Sequence, residues 1–134
     1  MIEVLVAALS DIEPLVDLEA ALFREDAGPH DPYADTTWPE REGRKDFGLL
    51  AGYATRSSSK RQPIEYAVLR TMYVASAARR QGVAAMLARH FLDWAGQRGC
   101  AEAHVDHYAA NHGAAELYER CGFSVRSVSR VCQL

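Results

Sequence analysis

The residues able to do chemistry concentrate in two short stretches. The first is Arg79-Arg80-Gln81-Gly82-Val83-Ala84, which follows Tyr73-Val74 after a short linker. Ile64 to Val74 is the longest β-like run, and the residues after Gly82 have helical spacing. A strand therefore ends and a helix begins at a glycine beside two arginines. The amino end of a helix presents N–H groups without intrahelical acceptors and a partial positive charge. Glycine lets the backbone approach a ligand closely. Such a turn suits a pyrophosphate, with Arg79 and Arg80 adding charge-assisted bonds. On spacing alone, a solvated basic start to a helix is the plainer reading. The second stretch is Asn111-His112-Gly113-Ala114-Ala115-Glu116-Leu117-Tyr118-Glu119-Arg120-Cys121-Gly122-Phe123. Asn111 suits the N-cap of a short helix over 113–120, and Gly122 suits its C′ position. Tyr118 on that helix is a proton donor by type. Its neighbours Ala114, Ala115, Leu117 and Cys121 equally suit a core tyrosine.

The elements that must position these residues follow from periodicity. Ile2 to Ala7 reads as a strand. Ser10-Asp11-Ile12-Glu13 fits a capping box and opens a helix with an apolar stripe through about Arg24. Residues 27–32 form a Gly/Pro loop, and Thr37-Trp38-Pro39 starts a second helix. Gly48 to Thr55 is a strand candidate, separated from the Ile64–Val74 strand by the polar turn 57–60. Val83, Met86, Leu87, His90, Phe91 and Trp94 share one face of the helix that stops at Gly99. Ala101 to His107 and Phe123 to Val131 are further strands. The order β-α-α-β-β-α-β-α-β predicts a mixed α/β fold (α+β layered), a central sheet flanked by helices in one domain over 1–134.

Composition excludes several function classes. The chain has 134 residues, with 15 Lys plus Arg against 18 Asp plus Glu, a formal net charge of −3. That balance argues against a general nucleic-acid binder. Cys100, Cys121 and Cys132 have no metal-ligand spacing, and their odd number fits a reducing compartment better than a disulfide framework. No apolar run reaches the length of a membrane span, and Glu3 stands where a signal peptide has basic residues. A cytoplasmic protein without metal, nucleic acid or membrane as partner is expected.

Taken together, the two stretches resemble the GNAT superfamily of acetyl-CoA-dependent N-acetyltransferases. The first is similar to the family's Arg/Gln-x-x-Gly-x-Gly/Ala signature, here Arg79, Gly82 and Ala84. The second is similar to its Asn…Ala…Leu-Tyr…Gly-Phe segment, here Asn111, Ala115, Leu117, Tyr118, Gly122 and Phe123. The resemblance covers Leu69 to Phe123. It implies that the strand ending at Val74 and the strand at 101–107 run parallel and then splay. Pantetheine of acetyl-CoA would pair with the backbone of Met72, Tyr73 and Val74 in the opening. N–H groups from Gln81 through Gly82, Val83 and Ala84 to Ala85, with Arg79 and Arg80, would hold the pyrophosphate. Asn111 would contact the co-substrate. The N–H of Val74 would face the thioester carbonyl, and Tyr118 would act as the general acid. The implied activity is transfer of an acetyl group to a primary amine by direct attack in a ternary complex. A homodimer is compatible with the family.

This sequence departs from the pattern in two places. Arg70 stands where the family commonly has a carboxylate that deprotonates the amine. Glu65 is further from the reacting end, and strand alternation puts His104 and Asp106 on the face opposite His107. Each of the four could relay a proton through water, but a plain surface strand residue is the favoured reading of each, so the base is unassigned. The unsupported position keeps a rival open: a non-catalytic acyl-CoA-binding module of the same fold. Residues 48–53 also suffice for only one strand where the family has two joined by a tight turn. Either the sheet is one strand short or a segment is absent at the Phe47–Gly48 join. The 25–33 segment, with Glu25, Asp26, Asp31 and Tyr33, falls where the family builds its acceptor site and suits a cationic amine, and it reads equally well as a polar surface loop.

Overall fold

The computed structural model describes residues 3–6, 48–57 and 61–134. Its elements are β1 (Gly48–Arg56), β2 (Glu65–Val74), a 3₁₀ turn (Ser76–Ala78), α1 (Val83–Gln97), β3 (Glu102–Val105) and α2 (His112–Arg120). The sheet order is β1-β2-β3. β1 and β2 form an antiparallel hairpin. Its loop is closed by Ser57, whose N–H donates to the Ile64 carbonyl at 2.9 Å. The Ser57 hydroxyl accepts from the Ile64 N–H at 3.2 Å and donates to the Gln62 carbonyl at 2.5 Å. β3 returns parallel to β2 after the α1 crossover, the connection a parallel pair requires.

Two irregularities shape the sheet. The β1–β2 register shifts between Ala51↔Thr71 and Gly52↔Leu69, leaving Arg70 unmatched in a β-bulge. The β2–β3 pairing runs only from Tyr66↔Glu102 to Leu69↔Val105. Past Leu69, β2 continues to Val74 without β3 beside it, so the two strands part at the bulge. The expected splay is present.

α1 lies across β1 and β2, and the core joins Ala67, Leu69, Phe91, Ala95 and Tyr118. The helix approaches the sheet closely because its contact face is built from alanines as well as Phe91. Val83, Ala88, Phe91 and Ala95 are buried, whereas His90 is exposed and Trp94 is 41% exposed. The stripe expected from large apolar residues is therefore rotated towards the small ones. Gly52 makes the approach possible: a Cβ there would stand 2.4 Å from the Val68 carbonyl oxygen and 2.6 Å from Phe91 Cε2.

Both helices end in the same way. Gly99 (φ 88°) and Gly122 (φ 96°) take the left-handed conformation one residue past each C-cap. Cys100 N–H donates to Ala95 and Gly99 N–H to Gly96; Phe123 N–H donates to Tyr118 and Gly122 N–H to Glu119. Each set is a Schellman motif, which satisfies carbonyls the helix end leaves open.

Other expectations are corrected. Phe123–Val131 forms no strand, and Val125, Val128 and Val131 are 86%, 73% and 82% exposed. Apolar spacing alone does not make a strand; its backbone groups need a hydrogen-bonded partner edge, and this segment has none among the described residues. Glu3–Val6 likewise carries no strand, with Leu5 and Val6 exposed. The rest of that expected strand, both amino-terminal helices, the acceptor segment 25–33 and the residues leading into Gly48 lie outside the described residues.

The carboxy-terminal segment meets the sheet through charge. Glu102, at the start of β3, accepts from Arg61 at 2.7 Å, from Arg126 at 2.5 Å and lies 2.7 Å from His104 Nε2. His104 in turn stacks on Tyr66 at 4.5 Å. Hydrogen bonds from Arg126, His104 and Arg61 hold the Glu102 carboxyl down from 4.5 to about 2.

Two outcomes follow from this packing. Gly52→Ala lowers folding stability by about 2 kcal/mol through overpacking against Val68 and Phe91; chemical denaturation with an unchanged midpoint contradicts it. Because the Glu102 carboxyl is held down in the folded state, its contribution is complete above 4.5 and disappears as pH falls through about 2. In acid titrations followed by thermal unfolding, Glu102→Gln should flatten the loss of stability over that interval, and an unaltered slope counts against the cluster.

Candidate functional site

The site is built where β2 and β3 part. The opening is a cleft of about 500 Å³. Leu69 to Val74 form one wall, and Val105, Asp106 and His107 the other. Asn111, Gly113, Ala114, Leu117 and Tyr118 of α2 complete it. A second hollow of about 640 Å³ surrounds the start of α1. Val74, Arg79, Ala84 and Leu117 line both, so the two are joined at the end of β2.

The turn into α1 is shaped for an anion. Arg80 has φ 63°, and Gly82, the N-cap, has φ 77°. A non-glycine residue in the left-handed region costs free energy and persists only where its surroundings enforce it. The N-cap Gly82 has no side chain to cap the first N–H groups of α1, and no other side chain among the described residues does so. A Cβ on Gly82 would meet nothing within 4 Å. Glycine is thus required by backbone conformation and not by protein packing, and the space over it belongs to the hollow. Arg79, Arg80, Arg89 and Arg120 line that hollow, and no acidic residue among the described residues does. The field inside it favours a polyanion.

The expected residues distribute unevenly. Met72, Tyr73 and Val74 border the cleft; Arg80, Gly82, Val83, Ala84 and Ala85 border the second hollow. Arg79 braces the junction: its Nε donates to the Val74 carbonyl at 2.9 Å, and its guanidinium lies 5.5 Å from the centre of the Tyr73 ring. The Gln81 side chain turns back to the Ala77 carbonyl at 3.3 Å and borders neither space. Asn111 Oδ1 accepts from the Ala114 N–H at 3.1 Å, so the N-cap reading is correct, and the residue also borders the cleft.

Tyr118 is a core tyrosine, 9% exposed, that also borders the cleft. Phe123, the closing residue of the Schellman motif, packs edge-on against its ring at 5.6 Å. His107 stacks on it at 5.9 Å. One expectation fails here. Asp106 and His107 both face the cleft, because β3 ends at Val105 and strand alternation no longer applies beyond it. His104 is turned to Glu102 and Tyr66, away from the cleft. Arg70, on the bulge, borders the cleft where a carboxylate was sought.

Arg89 and Arg120 were not expected at the site. Arg89 lies seven residues after Gly82, which returns it to the same side of α1, so the spacing did carry the signal. Arg120 had none, since it reaches the hollow only through the packing of α2. Among the described residues no group of His, Cys, Asp or Glu could hold a metal ion.

Residues 10–123 match the model of the Acetyltransferase (GNAT) family. No curated protein matches the chain. Among solved structures, a variant of the BH1408 protein from Bacillus halodurans has a TM-score of 0.82 at 12% identity, with 96% of each chain covered. A transcriptional regulator from Bacillus halodurans has a TM-score of 0.70 at 18% identity, covering 96% of each chain. An aminoglycoside acetyltransferase from an uncultured soil metagenomic sample has a TM-score of 0.65 at 20% identity, covering 93% of each chain. At these identities the likeness is one of fold.

The two glycine demands at residue 82 can be separated. Gly82→Ala costs about 1 kcal/mol of folding stability from its left-handed φ, and Gly82→Asn less, since Asn tolerates that region. Both side chains enter the hollow, so both variants lose CoA-induced thermal stabilisation. A Gly82→Asn protein that keeps that stabilisation contradicts the reading of the turn.

Proposed function

The chain belongs to the acetyltransferase (GNAT) family and is an acyltransferase; from that premise we propose that it moves an acetyl group from acetyl-CoA to a primary amine within a ternary complex. The observation that carries the proposal is the parting of β2 from β3 above a hollow lined by four arginines. An elongated ligand with a phosphate end and a thioester end fits that pair of joined spaces.

When bound, acetyl-CoA supplies the electrophilic thioester carbonyl. The roles of the chain follow from position. The uncapped N–H groups of the first turn of α1, with Arg80, Arg89 and Arg120, hold the diphosphate. The backbone of Met72 to Val74, free of β3, pairs with the pantetheine amides as an added strand does. The Val74 N–H stabilises the negative oxygen that forms when the amine attacks. Tyr118 delivers a proton to the departing thiolate. Asn111 holds the head of α2, and with it Tyr118, against the cleft. The acidic and aromatic residues of 25–33 supply an environment for a cationic acceptor.

Free thiol released from acetyl-CoA only when an amine is present supports the transferase reading, and an amine panel defines the acceptor. CoA binding without turnover on any amine supports instead the non-catalytic binding module, which Arg70 in place of a carboxylate had kept open. Tyr118→Phe should lower kcat roughly 100-fold with CoA affinity retained. An unchanged kcat removes Tyr118 from the acid role.

A further inference from the structure

The geometry points to His107 as the base that deprotonates the acceptor amine, an assignment that rests on the transferase reading. An amine entering the cleft carries a proton at neutral pH, with a reference value of roughly 10.4 for a lysine-like ammonium. Arg70, where a carboxylate was sought, is a cation and cannot accept it. His107 Nδ1 lies 2.9 Å from the Tyr108 carbonyl oxygen. A carbonyl oxygen only accepts, so Nδ1 carries the hydrogen. In the neutral ring Nε2 then holds the lone pair. The same carbonyl accepts the Asn111 N–H at 2.9 Å, which ties the tautomer to the turn that starts α2. No protein group among the described residues hydrogen-bonds Nε2. The ring borders the cleft and lies against Tyr118, the proposed acid, at 5.9 Å between centroids. Base and acid thus stand side by side at the mouth of the splay.

The proton balance is complete without another reactant. His107 Nε2 takes one proton from R–NH₃⁺, and the lone pair of R–NH₂ attacks the thioester carbon. The C–N bond forms and the C–S bond breaks. The second nitrogen proton ends on the thiolate, with Tyr118 donating and being reprotonated. The imidazolium then returns its proton to water. Asp106 borders the same cleft, but it is His107 whose tautomer is set by the Tyr108 carbonyl and whose ring lies against Tyr118. The charged and titratable groups that share the cleft with His107 are Arg70, Tyr73 and Arg79 from β2 and the turn, Asp106 beside it, and Tyr118 from α2, whose ring stacks on the imidazole.

The test compares wild type, His107→Gln, His107→Ala and Asp106→Asn on the best amine of the panel. His107→Gln is expected to lose roughly 100-fold in kcat/KM at neutral pH and to keep CoA affinity. Its deficit should shrink as pH rises and when a weakly basic aryl amine, already unprotonated, replaces the alkyl amine. Imidazole added to His107→Ala should restore turnover, and Asp106→Asn should retain it. A His107→Gln enzyme with wild-type rate and pH profile overturns the assignment while leaving the transferase reading intact. So does an Asp106→Asn enzyme that shows the pH-dependent loss instead. A wild-type protein inert towards every amine overturns both.

Discussion

The separation of two parallel strands governs the rest of this molecule. β2 and β3 hydrogen-bond over only four residue pairs, ending at Leu69 and Val105. Beyond them β2 runs on to Val74 without β3 beside it. The Arg70 bulge coincides with the parting and bends β2 at that point. β3 ends at Val105, and residues of α2 line the opening that follows. The opening between the strands is a feature of the chain itself.

Orientation of the reactive groups is transmitted through helix ends. α2 begins with Asn111 capping Ala114 and ends with Gly122 left-handed and Phe123 folded back onto Tyr118. Two local motifs thereby fix one aromatic side chain between His107 and Phe123. α1 begins the opposite way, with its first N–H groups uncapped and Arg80 and Gly82 both left-handed. One helix is closed by its own chain at both ends. The other is left open at the end that faces the arginines.

Much of this was legible in the residues. Gly82 beside Arg79 and Arg80, and Asn111 through Gly122, announced the two helix starts and one helix stop, because caps and left-handed positions are set by local chemistry. The β2 and α1 boundaries followed from periodicity and glycine. What was not legible depends on tertiary contact. The α1 face turns on Gly52, distant in sequence, which admits Ala88, Phe91 and Ala95 closely. Arg120 reaches the arginine-lined hollow only through helix packing. His107 joins Asp106 at the cleft because β3 stops at Val105, a boundary that periodicity placed two residues later. The Phe123–Val131 pattern read as a strand because its apolar spacing says nothing about whether a partner edge is present.

The most direct test of the account is an amide chemical-shift titration of the labelled protein with acetyl-CoA. The account predicts that the N–H resonances of Val74, of 81–85 and of α2 shift together along one saturation curve. A folded protein whose 81–85 amides stay fixed at saturating acetyl-CoA, or whose shifts cluster away from the β2–β3 opening, contradicts it.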